Sequence, residues 1–237
     1  MSTQHSLAGL ETFDALNLEY ELAYEDNLFK KACITQAISI LPPGSRVLDV
    51  GCGTGIPVSD MLAKAGLDVV GFDISPKMID LAQSRVNGSF TVSDMLSFEP
   101  EGHFGAVFMI FCHLQLSYAD FHSAALKFAN ALEPGGLFAV GQMPGDKYVK
   151  EGEWADEGKS YVEDYNAPFM GEPLPTFMMS ADGQRRMLES MGLEIVWERV
   201  DTFQPKNEKC DPEEQQYVIA RRVNENPLSP PIPLPKT

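Results

Sequence analysis

The sequence is poor in basic residues and in cysteine, and each shortage excludes a class of function. Its 18 lysines and arginines stand against 34 acidic residues, which gives a net charge of −16. This charge repels a phosphate backbone, and the basic residues form no cluster longer than a pair, so we expect no nucleic acid partner. The cysteines are scattered, with no Cys-x-x-Cys pair and no metal-ligand spacing: Cys33, Cys52, Cys112 and Cys210. They predict free thiols in a reducing compartment and no metal site.

Long apolar runs are also missing. No stretch approaches the length that crosses a bilayer, so no membrane partner is expected. The first six residues carry neither the basic nor the apolar part of a signal peptide, which together with the thiols predicts a soluble cytoplasmic protein. Hydrophobic residues make up 44% of the chain and charged residues 22%, which is ordinary for a globular protein. No sequence feature specifies an oligomeric state.

Hydrophobic spacing predicts strands that alternate with helices over the first part of the chain. One or two helices are predicted within 18–41, and Pro42-Pro43-Gly44 ends them. The predicted strands that follow are 46–50, 68–72, 89–92, 104–111 and 137–143. The helices predicted between them are 56–65, 76–85 and 118–132. Such alternation is typical of an α/β fold with a parallel sheet and helices on both faces.

The remainder of the chain changes character. Periodicity is lost over 144–179, and then a helix at 181–191 and an antiparallel pair at 193–203 and 215–221 are predicted. We therefore expect a single domain over residues 1–223. Its parts are N-terminal cap helices (18–41), a ligand-binding core (42–143), an insertion (144–179) and a closing helix and hairpin (180–223). The tail, 224–237, is rich in proline and is expected to be disordered or extended.

A glycine-rich turn leaves the first predicted strand. It reads Asp49-Val50-Gly51-Cys52-Gly53-Thr54-Gly55. Glycines allow a tight turn and let the backbone approach a ligand, and the next helix points its free N–H groups at the same place. The spacing differs from the dinucleotide fingerprint, because Ile56 stands where that fingerprint has its third glycine.

Two carboxylates follow the next two strands at the edge of the sheet where ligands bind. Asp73 ends the second strand, where a carboxylate can accept both hydroxyls of a ribose. A helix-capping role is the alternative, but Ser75 already fills it. Asp94 follows the third strand and can accept from the exocyclic amine of adenine, with Met95 packing on the ring. Considered alone, Asp94 is also compatible with a simple turn.

These segments together resemble the class I S-adenosylmethionine-dependent methyltransferase family over about residues 41–143. The resemblance rests on Val47 to Gly55, Gly71 to Ile79, Asp94-Met95 and Leu132 to Gly136. It implies a Rossmann-like fold whose seven-stranded, mostly parallel sheet has an antiparallel last strand. It also implies S-adenosyl-L-methionine as cofactor, with the glycine turn at its methionine part. The expected cofactor-binding residues are Asp49, Gly51, Cys52, Gly53, Gly55, Asp73, Ile74, Met78, Asp94, Met95 and Phe111.

Missing motifs narrow the expected substrate. Residues 110–114 lack the Asn/Asp-Pro-Pro-aromatic motif of adenine N-methyltransferases, and no Pro-Cys nucleophile of cytosine enzymes is present. The paired glutamates of arginine methyltransferases and the magnesium site of catechol-type enzymes are missing too. The sequence looks most similar to small-molecule enzymes of natural-product pathways. We therefore expect methyl transfer to an oxygen of a secondary metabolite, such as a polyketide enol or phenol.

Aromatic residues outside the core are candidates for acceptor selection. Tyr20 and Tyr24 share a helical face that either folds over the cofactor, as in similar enzymes, or simply packs. The 144–179 insertion is rich in aromatics and is expected to form a lid and an apolar substrate wall. Its candidate substrate residues are Tyr148, Trp154, Tyr165 and Phe169.

His113 is the candidate general base, because it follows the fourth strand at the mouth of the expected site. The alternative is a histidine that is packed and hydrogen-bonded among apolar neighbours. Two other functions also remain open from the residues alone. One is a cyclase or pericyclase that uses the bound cofactor on the same fold. The other is a non-catalytic partner protein that docks through its proline-rich tail.

Overall fold

The computed structural model describes residue 10, residues 13–16 and residues 18–236. The strands within these residues are β1 Arg46–Val50, β2 Asp68–Asp73, β3 Ser89–Val92, β4 Phe104–Ile110, β5 Leu132–Gln142, β6 Tyr161–Phe169, β7 Glu172–Met179, β8 Leu193–Phe203 and β9 Glu213–Arg222. The α-helices, numbered from residue 18 onward, are α1 Leu18–Tyr24, α2 Leu28–Ile40, α3 Val58–Lys64, α4 Pro76–Arg85, α5 Tyr118–Asn130 and α6 Ala181–Ser190, and a 3₁₀ turn spans Gly145–Lys147.

Seven strands form one sheet in the order β3-β2-β1-β4-β5-β9-β8. The strands from β3 to β5 run parallel, whereas β9 is antiparallel to both β5 and β8. The expected seven-stranded, mostly parallel sheet with an antiparallel last strand is therefore confirmed. The chain reverses its direction of travel across the sheet between β1 and β4, and a crevice forms at the carboxyl ends of the strands at such a point.

Alternate residues of the strands pack into two separate cores, one on each face of the sheet. In β1, Val47 belongs to the core under α2, α3 and α4, and its neighbour Leu48 belongs to the core under α5 and α6. This packing on both faces explains why β1 and β4 are buried along nearly their whole length. Asp49 is two residues beyond Val47 in the same strand. Its side chain therefore lies on the same face of the sheet, the face covered by α2 and α3.

The 144–179 segment contains a β-hairpin that the sequence did not reveal. β6 and β7 pair antiparallel as a separate two-stranded sheet. Their register shifts between Val162 and Tyr165, where Asp164 has a positive φ of 52°. Such a bulge breaks the two-residue alternation by which strands are recognised, and the prolines at 168, 173 and 175 weaken the signal further.

The tail was expected to be disordered or extended, and residues 224–236 do lack helices and strands. They nevertheless pack against α5 and α6. Tyr118 donates its hydroxyl hydrogen bond to the Pro233 carbonyl, and the Pro231 carbonyl lies 2.8 Å from His122 Nε2. Since proline has no N–H, these two contacts use carbonyls of the tail, while the Ile232 N–H donates to the Ser190 hydroxyl at 2.9 Å. None of the helices in the described ranges is both long and apolar enough for a membrane crossing.

Candidate active site

A cleft lies at the carboxyl ends of β1, β2 and β4, where the strand order reverses. It encloses about 1340 Å³, including the part that opens to solvent. Every residue expected to bind cofactor lines it, except Gly55. Those lining residues are Asp49, Gly51, Cys52, Gly53, Asp73, Ile74, Met78, Asp94, Met95 and Phe111. The local motifs of three successive strands are therefore brought together in one place.

The three glycines of the turn have different roles. All have a positive φ, at 62°, 54° and 80° for Gly51, Gly53 and Gly55. A Cβ on Gly51 would lie 2.5 Å from the Cβ of Cys112, so this glycine permits the end of β4 to approach. A Cβ on Gly53 would meet nothing within 4 Å, whereas one on Gly55 would lie 2.9 Å from a methyl group of Val86. Gly55 thus packs the turn onto the end of α4 and does not line the cleft.

Asp73 is held across the glycine turn by two backbone donors. Its Oδ2 accepts from the Gly53 N–H at 2.9 Å, and its Oδ1 accepts from the Ser75 N–H at 2.9 Å. Burial raises the pKa of Asp73, and these two hydrogen bonds partly offset the rise. Because a carboxylate oxygen can accept more than one hydrogen bond, both oxygens keep capacity for a ligand. The Ser75 hydroxyl caps α4 by accepting from the Met78 N–H, as expected from the sequence.

Asp94 has an unused acceptor beside the cleft. Its Oδ1 accepts from the Leu96 N–H at 2.7 Å, but its buried Oδ2 has no hydrogen-bond partner among the residues that the structure describes. A buried acceptor without a donor is costly in free energy and is rare in folded proteins. The orphan oxygen therefore fits a site at which a ligand supplies the donor.

Asp49 and Lys30 place a buried acid and a buried base in the same cleft. Asp49 Oδ2 accepts from the Ser59 hydroxyl at 2.6 Å, and burial raises the pKa of Asp49 to about 7. The Lys30 ammonium lies 5.8 Å from the ring centre of Tyr24 and 5.6 Å from that of Phe111. Burial lowers the pKa of Lys30 to about 8.

Sequence reasoning missed Lys30, although a signal was present. The buried residues of α2 are Lys30, Cys33, Ile34 and Ala37, which follow helical spacing. A lysine on the apolar stripe of an amphipathic helix is unusual, and this position distinguishes Lys30 from Lys31. In the sequence, Lys30 and Lys31 stand out only as a pair of adjacent basic residues.

Helix α1 covers part of the cleft. Glu21 accepts a hydrogen bond from the Thr54 hydroxyl in the glycine turn and pairs with Arg85 at 2.8 Å. Tyr20 and Tyr24 of this helix line the cleft, and Tyr24 is buried. Helix α1 thus lies against the cleft. This position agrees with the interpretation in which its aromatic face folds over the cofactor site.

A second, smaller pocket adjoins the cleft. Both are lined by Phe13, Tyr20, Tyr24, Phe111 and Gln115. The rest of the second pocket is formed by the segments that follow β4 and β5, by the hairpin and by the start of β9. These lining residues are Leu114, Met143, Ala167, Pro168, Phe169, Leu174, Thr176 and Glu213. Gln115 was not predicted from the sequence.

The four candidate substrate residues of the 144–179 segment divide into two groups. Phe169 lines the second pocket. Tyr148, Trp154 and Tyr165 lie outside the linings of both described pockets and pack against the hairpin's own apolar cluster. The Tyr165 hydroxyl donates to the Tyr148 carbonyl at 3.1 Å. These three side chains therefore support the wall and do not face the pockets, which departs from the direct substrate role expected for them.

Phe111 stands at the junction of the two pockets in a strained conformation. Its φ is 57°, in the left-handed region that a bulky residue rarely adopts. Its N–H donates to the Gly141 carbonyl at 2.9 Å, which holds the strand exit in place. Strain of this kind costs about 1–3 kcal/mol and tends to occur at functional sites.

His113 is not placed where a general base is needed. Its side chain is fully buried and lies outside the linings of both described pockets. Its ring is stacked on that of Phe121, with 4.4 Å between the ring centres. Neither ring nitrogen has a partner within the described part of the chain. Burial lowers the pKa of His113 to about 3. These features argue against the catalytic role that the sequence indicated, and also against a hydrogen-bonded structural role.

Glu213, at the first position of β9, is a second residue that sequence reasoning missed. Its Oε2 accepts from the Tyr24 hydroxyl at 3.0 Å, and its Oε1 accepts from the Gln215 side chain. Burial raises the pKa of Glu213, while Gln215, Tyr24 and Lys30 act in the opposite direction. In the sequence, Glu213 belongs to the acidic stretch 211–214, which looks like an ordinary surface loop.

Residues 47–136, from β1 to the first residues of β5, match a family model described as a methyltransferase domain. Structural neighbours are S-adenosylmethionine-dependent methyltransferases that share the fold. The matched residues are thus similar to a methyltransferase domain, and the fold of the chain is the one that these methyltransferases have.

The sequence matches to individual relatives cover only part of each relative's length. It is 31% identical over 136 residues to a demethylmenaquinone methyltransferase from Tropheryma whipplei, across 55% of this chain and 54% of that protein. It is 48% identical over 58 residues to a magnesium-protoporphyrin O-methyltransferase from Rhodobacter capsulatus, across 22% and 25%. The chain thus spans about half and about a quarter of these relatives.

The likeness to solved structures extends further than the sequence matches. A magnesium protoporphyrin IX methyltransferase from Synechocystis, solved with bound SAH, has a TM-score of 0.64. The alignment covers 92% of this chain and 100% of that chain at 14% identity. At this identity the likeness concerns the fold.

Proposed function

We propose that this protein transfers the methyl group of S-adenosylmethionine to an oxygen of a small organic acceptor. The observation that carries the proposal is the continuity of two pockets with different linings. The cleft has several carboxylates at its walls, whereas the second pocket is mostly apolar and aromatic. They share the aromatic junction around Phe111, where two bound molecules would meet.

The residues of the cleft fit the cofactor. In this proposal Asp73 accepts the ribose hydroxyls through the capacity that its two oxygens retain. The orphan Oδ2 of Asp94 accepts from the adenine amine, and Met95 packs on the ring. Gly53 leaves open space beside the turn for the methionine part. When bound, S-adenosylmethionine supplies an electrophilic methyl group on a sulfonium.

The chain contributes mainly position and exclusion of water. Phe111, Tyr20 and Tyr24 surround the junction with aromatic faces, which stabilise a nearby positive charge. Holding the two reactants in line replaces an encounter in water, an effect worth up to about 7–11 kcal/mol of the barrier. The second pocket's lining favours a compact, largely apolar acceptor.

The relatives' names support a small-molecule acceptor. One is described as a demethylmenaquinone methyltransferase and another as a magnesium-protoporphyrin O-methyltransferase, and the second name supports oxygen as the accepting atom. An enol or phenol of a secondary metabolite remains our proposal for the acceptor class.

Asp73→Ala tests the cofactor site. Loss of a charged acceptor costs about 1.5–3 kcal/mol, so affinity for S-adenosylmethionine should fall at least about tenfold in calorimetry. Asp73→Asn keeps one acceptor and should bind with intermediate affinity. Asp80→Ala, an exposed acid on α4, is the matched control and should bind like the unmodified chain. Unchanged affinity in Asp73→Ala, with melting temperature preserved, would contradict the proposal, as would tight NAD binding.

Turnover of labelled S-adenosylmethionine with a panel of phenols, enols, acids and amines tests the reaction itself. We expect labelled, O-methylated product with one S-adenosylhomocysteine formed for each methyl group transferred. A rearranged product without S-adenosylhomocysteine would indicate a cyclase instead. Cofactor binding without turnover on any acceptor would favour a non-catalytic role.

A further inference from the structure

We propose that the second pocket binds the acceptor and that Glu213 is the catalytic residue that removes its proton. The expected acceptor is a phenol or enol with an apolar body and one protic oxygen at the Glu213 end. This inference rests on the proposed function. Of the carboxylates that line either described pocket, Glu213 alone belongs to the second. The others belong to the cleft: Glu21, Glu25, Asp49, Asp73 and Asp94.

The position of Glu213 follows from the sheet. β9 pairs with β5, and its residue Gln216 lies opposite Gln142 at the carboxyl end of β5. Glu213 lies three residues beyond this pair, past the last paired position of β5. Its side chain therefore reaches the same edge of the sheet as Phe111, which leaves β4, and it lines a pocket with Phe111, Gln115 and Phe169.

A chain of hydrogen bonds fixes the orientation of the Glu213 carboxylate. Asn27 caps α2 by accepting from the Phe29 and Lys30 N–H groups through Oδ1, so its Nδ2 must point the other way. This Nδ2 donates to Gln215 Oε1 at 2.6 Å. The Tyr217 hydroxyl also donates to Gln215 Oε1, at 2.6 Å.

The Gln215 amide is thereby oriented without ambiguity. Two donors fix its oxygen, so its Nε2 faces Glu213 and donates to Oε1. Tyr24 donates to the other oxygen. The cap of α2 therefore determines, through one glutamine, how the carboxylate at the start of β9 is presented to the pocket.

The surroundings of Glu213 suit proton acceptance. Burial raises its pKa, which strengthens it as a base, and the Lys30 charge together with the two hydrogen bonds keeps the ionised form accessible. The titratable groups that interact with it come from several elements: Tyr20, Tyr24, Lys30, Tyr148, Cys210 and Tyr217. Burial raises the pKa of each of these tyrosines, which therefore stay neutral. Within this group, Lys30 supplies the positive charge that compensates the Glu213 carboxylate.

The step balances in atoms and charge. The acceptor oxygen loses its proton to a Glu213 oxygen and forms the new bond to the methyl carbon. The carbon–sulfur bond breaks, and its electron pair remains on sulfur, which becomes the neutral thioether of S-adenosylhomocysteine. Glu213 then releases the proton to solvent when the methylated product leaves.

The test uses 2-naphthol, a compact phenol whose fluorescence distinguishes the neutral from the ionised form, in complex with the full chain and S-adenosylhomocysteine. We expect the unmodified protein to bind 2-naphthol and to show emission of the ionised form. Glu213→Gln should lose that emission, and with S-adenosylmethionine its methyl transfer should fall by at least about 100-fold. Its affinity for S-adenosylhomocysteine should change less than about twofold. Glu214→Gln, the neighbouring acid of β9, is the matched control and should retain both signals.

Tyr24→Phe is a second variant that keeps the carboxylate. It removes a hydrogen bond that lowers the pKa of Glu213, so the rising limb of the rate against pH should move to higher pH. Full emission and turnover in Glu213→Gln would overturn the base role. Failure of 2-naphthol to bind the unmodified protein in the presence of bound S-adenosylhomocysteine would overturn the acceptor class. Failure of S-adenosylhomocysteine itself to bind would instead contradict the proposed function.

Discussion

Asp49 combines a position under the glycine turn with a pKa raised to about 7 by burial. An unfolded aspartate has a pKa near 3.9, so between about pH 4 and pH 7 the folded protein binds more protons at this residue than the unfolded chain does. The stabilisation that protonated Asp49 contributes to the folded protein is therefore fully present below about pH 4 and is lost as the pH rises to 7. The corresponding fall in the free energy of unfolding is at most about 1.4 kcal/mol per pH unit.

Asp49→Asn should remove this dependence while it retains an acceptor for the Ser59 hydroxyl. We expect urea unfolding at pH 5, 6, 7 and 8 to give a flatter profile for the variant than for the unmodified chain. Asp80→Asn, an exposed substitution, should leave the slope unchanged. Parallel profiles for Asp49→Asn and the unmodified chain would show that Asp49 titrates near its ordinary pKa in the folded protein.

Residues were predictable from the sequence where their surroundings are local in the chain. Asp73 and Asp94 each follow a strand directly, so their position at the sheet edge followed from the strand alone, and the structure brings both to one cleft. Glu213 was not predictable in this way, because its partners Tyr24 and Gln215 meet only after α1 folds against β9. His113 shows the converse error, since a residue just after a strand can still turn into the core.

At the scale of elements, the hairpin of β6 and β7 contributes one aromatic side chain to the second pocket. Phe169→Ala removes part of an apolar wall, which at about 25 cal/mol per Å² corresponds to roughly 1–2 kcal/mol. KM for 2-naphthol should therefore rise about 5- to 30-fold while the affinity for S-adenosylhomocysteine is retained. Steady-state kinetics and calorimetry measure the two effects separately.

Tyr165→Phe is the control for the hairpin, because Tyr165 lies outside both pocket linings. It removes one hydrogen bond and should lower stability slightly without changing KM. Equal KM values for Phe169→Ala and the unmodified protein would contradict the acceptor-wall role of the hairpin.

Elements with regular patterns were predicted closely, and irregular ones were not. β1, β3, β8 and α4 have the bounds that their hydrophobic spacing and the Ser75 cap predicted. β5 begins at Leu132, earlier than expected, because its first residues, Glu133 to Gly136, look like a turn. The hairpin was missed because its bulge removes the alternation on which strand prediction depends.

At the scale of the whole molecule, the tail is part of the folded structure. Leu228 packs on the core under α5 and α6, and Pro231 is buried. Deletion of residues 224–237 should therefore cost about 2–3 kcal/mol, since it removes one partly buried leucine and several hydrogen bonds. For a chain of this size the melting temperature should fall by roughly 5–10 °C.

Calorimetric melting of the truncated chain measures this effect. The tail's hydrogen-bond partners lie outside both pocket linings, so S-adenosylhomocysteine affinity at 20 °C should stay unchanged. A melting temperature equal to that of the full chain would show that the tail contributes nothing to stability. A large loss of cofactor affinity without a loss of stability would assign it a role at the site.

The origin of the second pocket's walls has an evolutionary consequence. Most of its lining residues lie outside residues 47–136, on α1, the hairpin and β9, whereas the carboxylates that we assign to the cofactor lie within that range. Mutations in the hairpin can therefore alter the choice of acceptor without disturbing the cofactor module, whereas changes on α1 also reach the cleft. A lineage with this architecture can acquire new substrates while it keeps its cofactor. Divergence between such enzymes should then be concentrated in the hairpin.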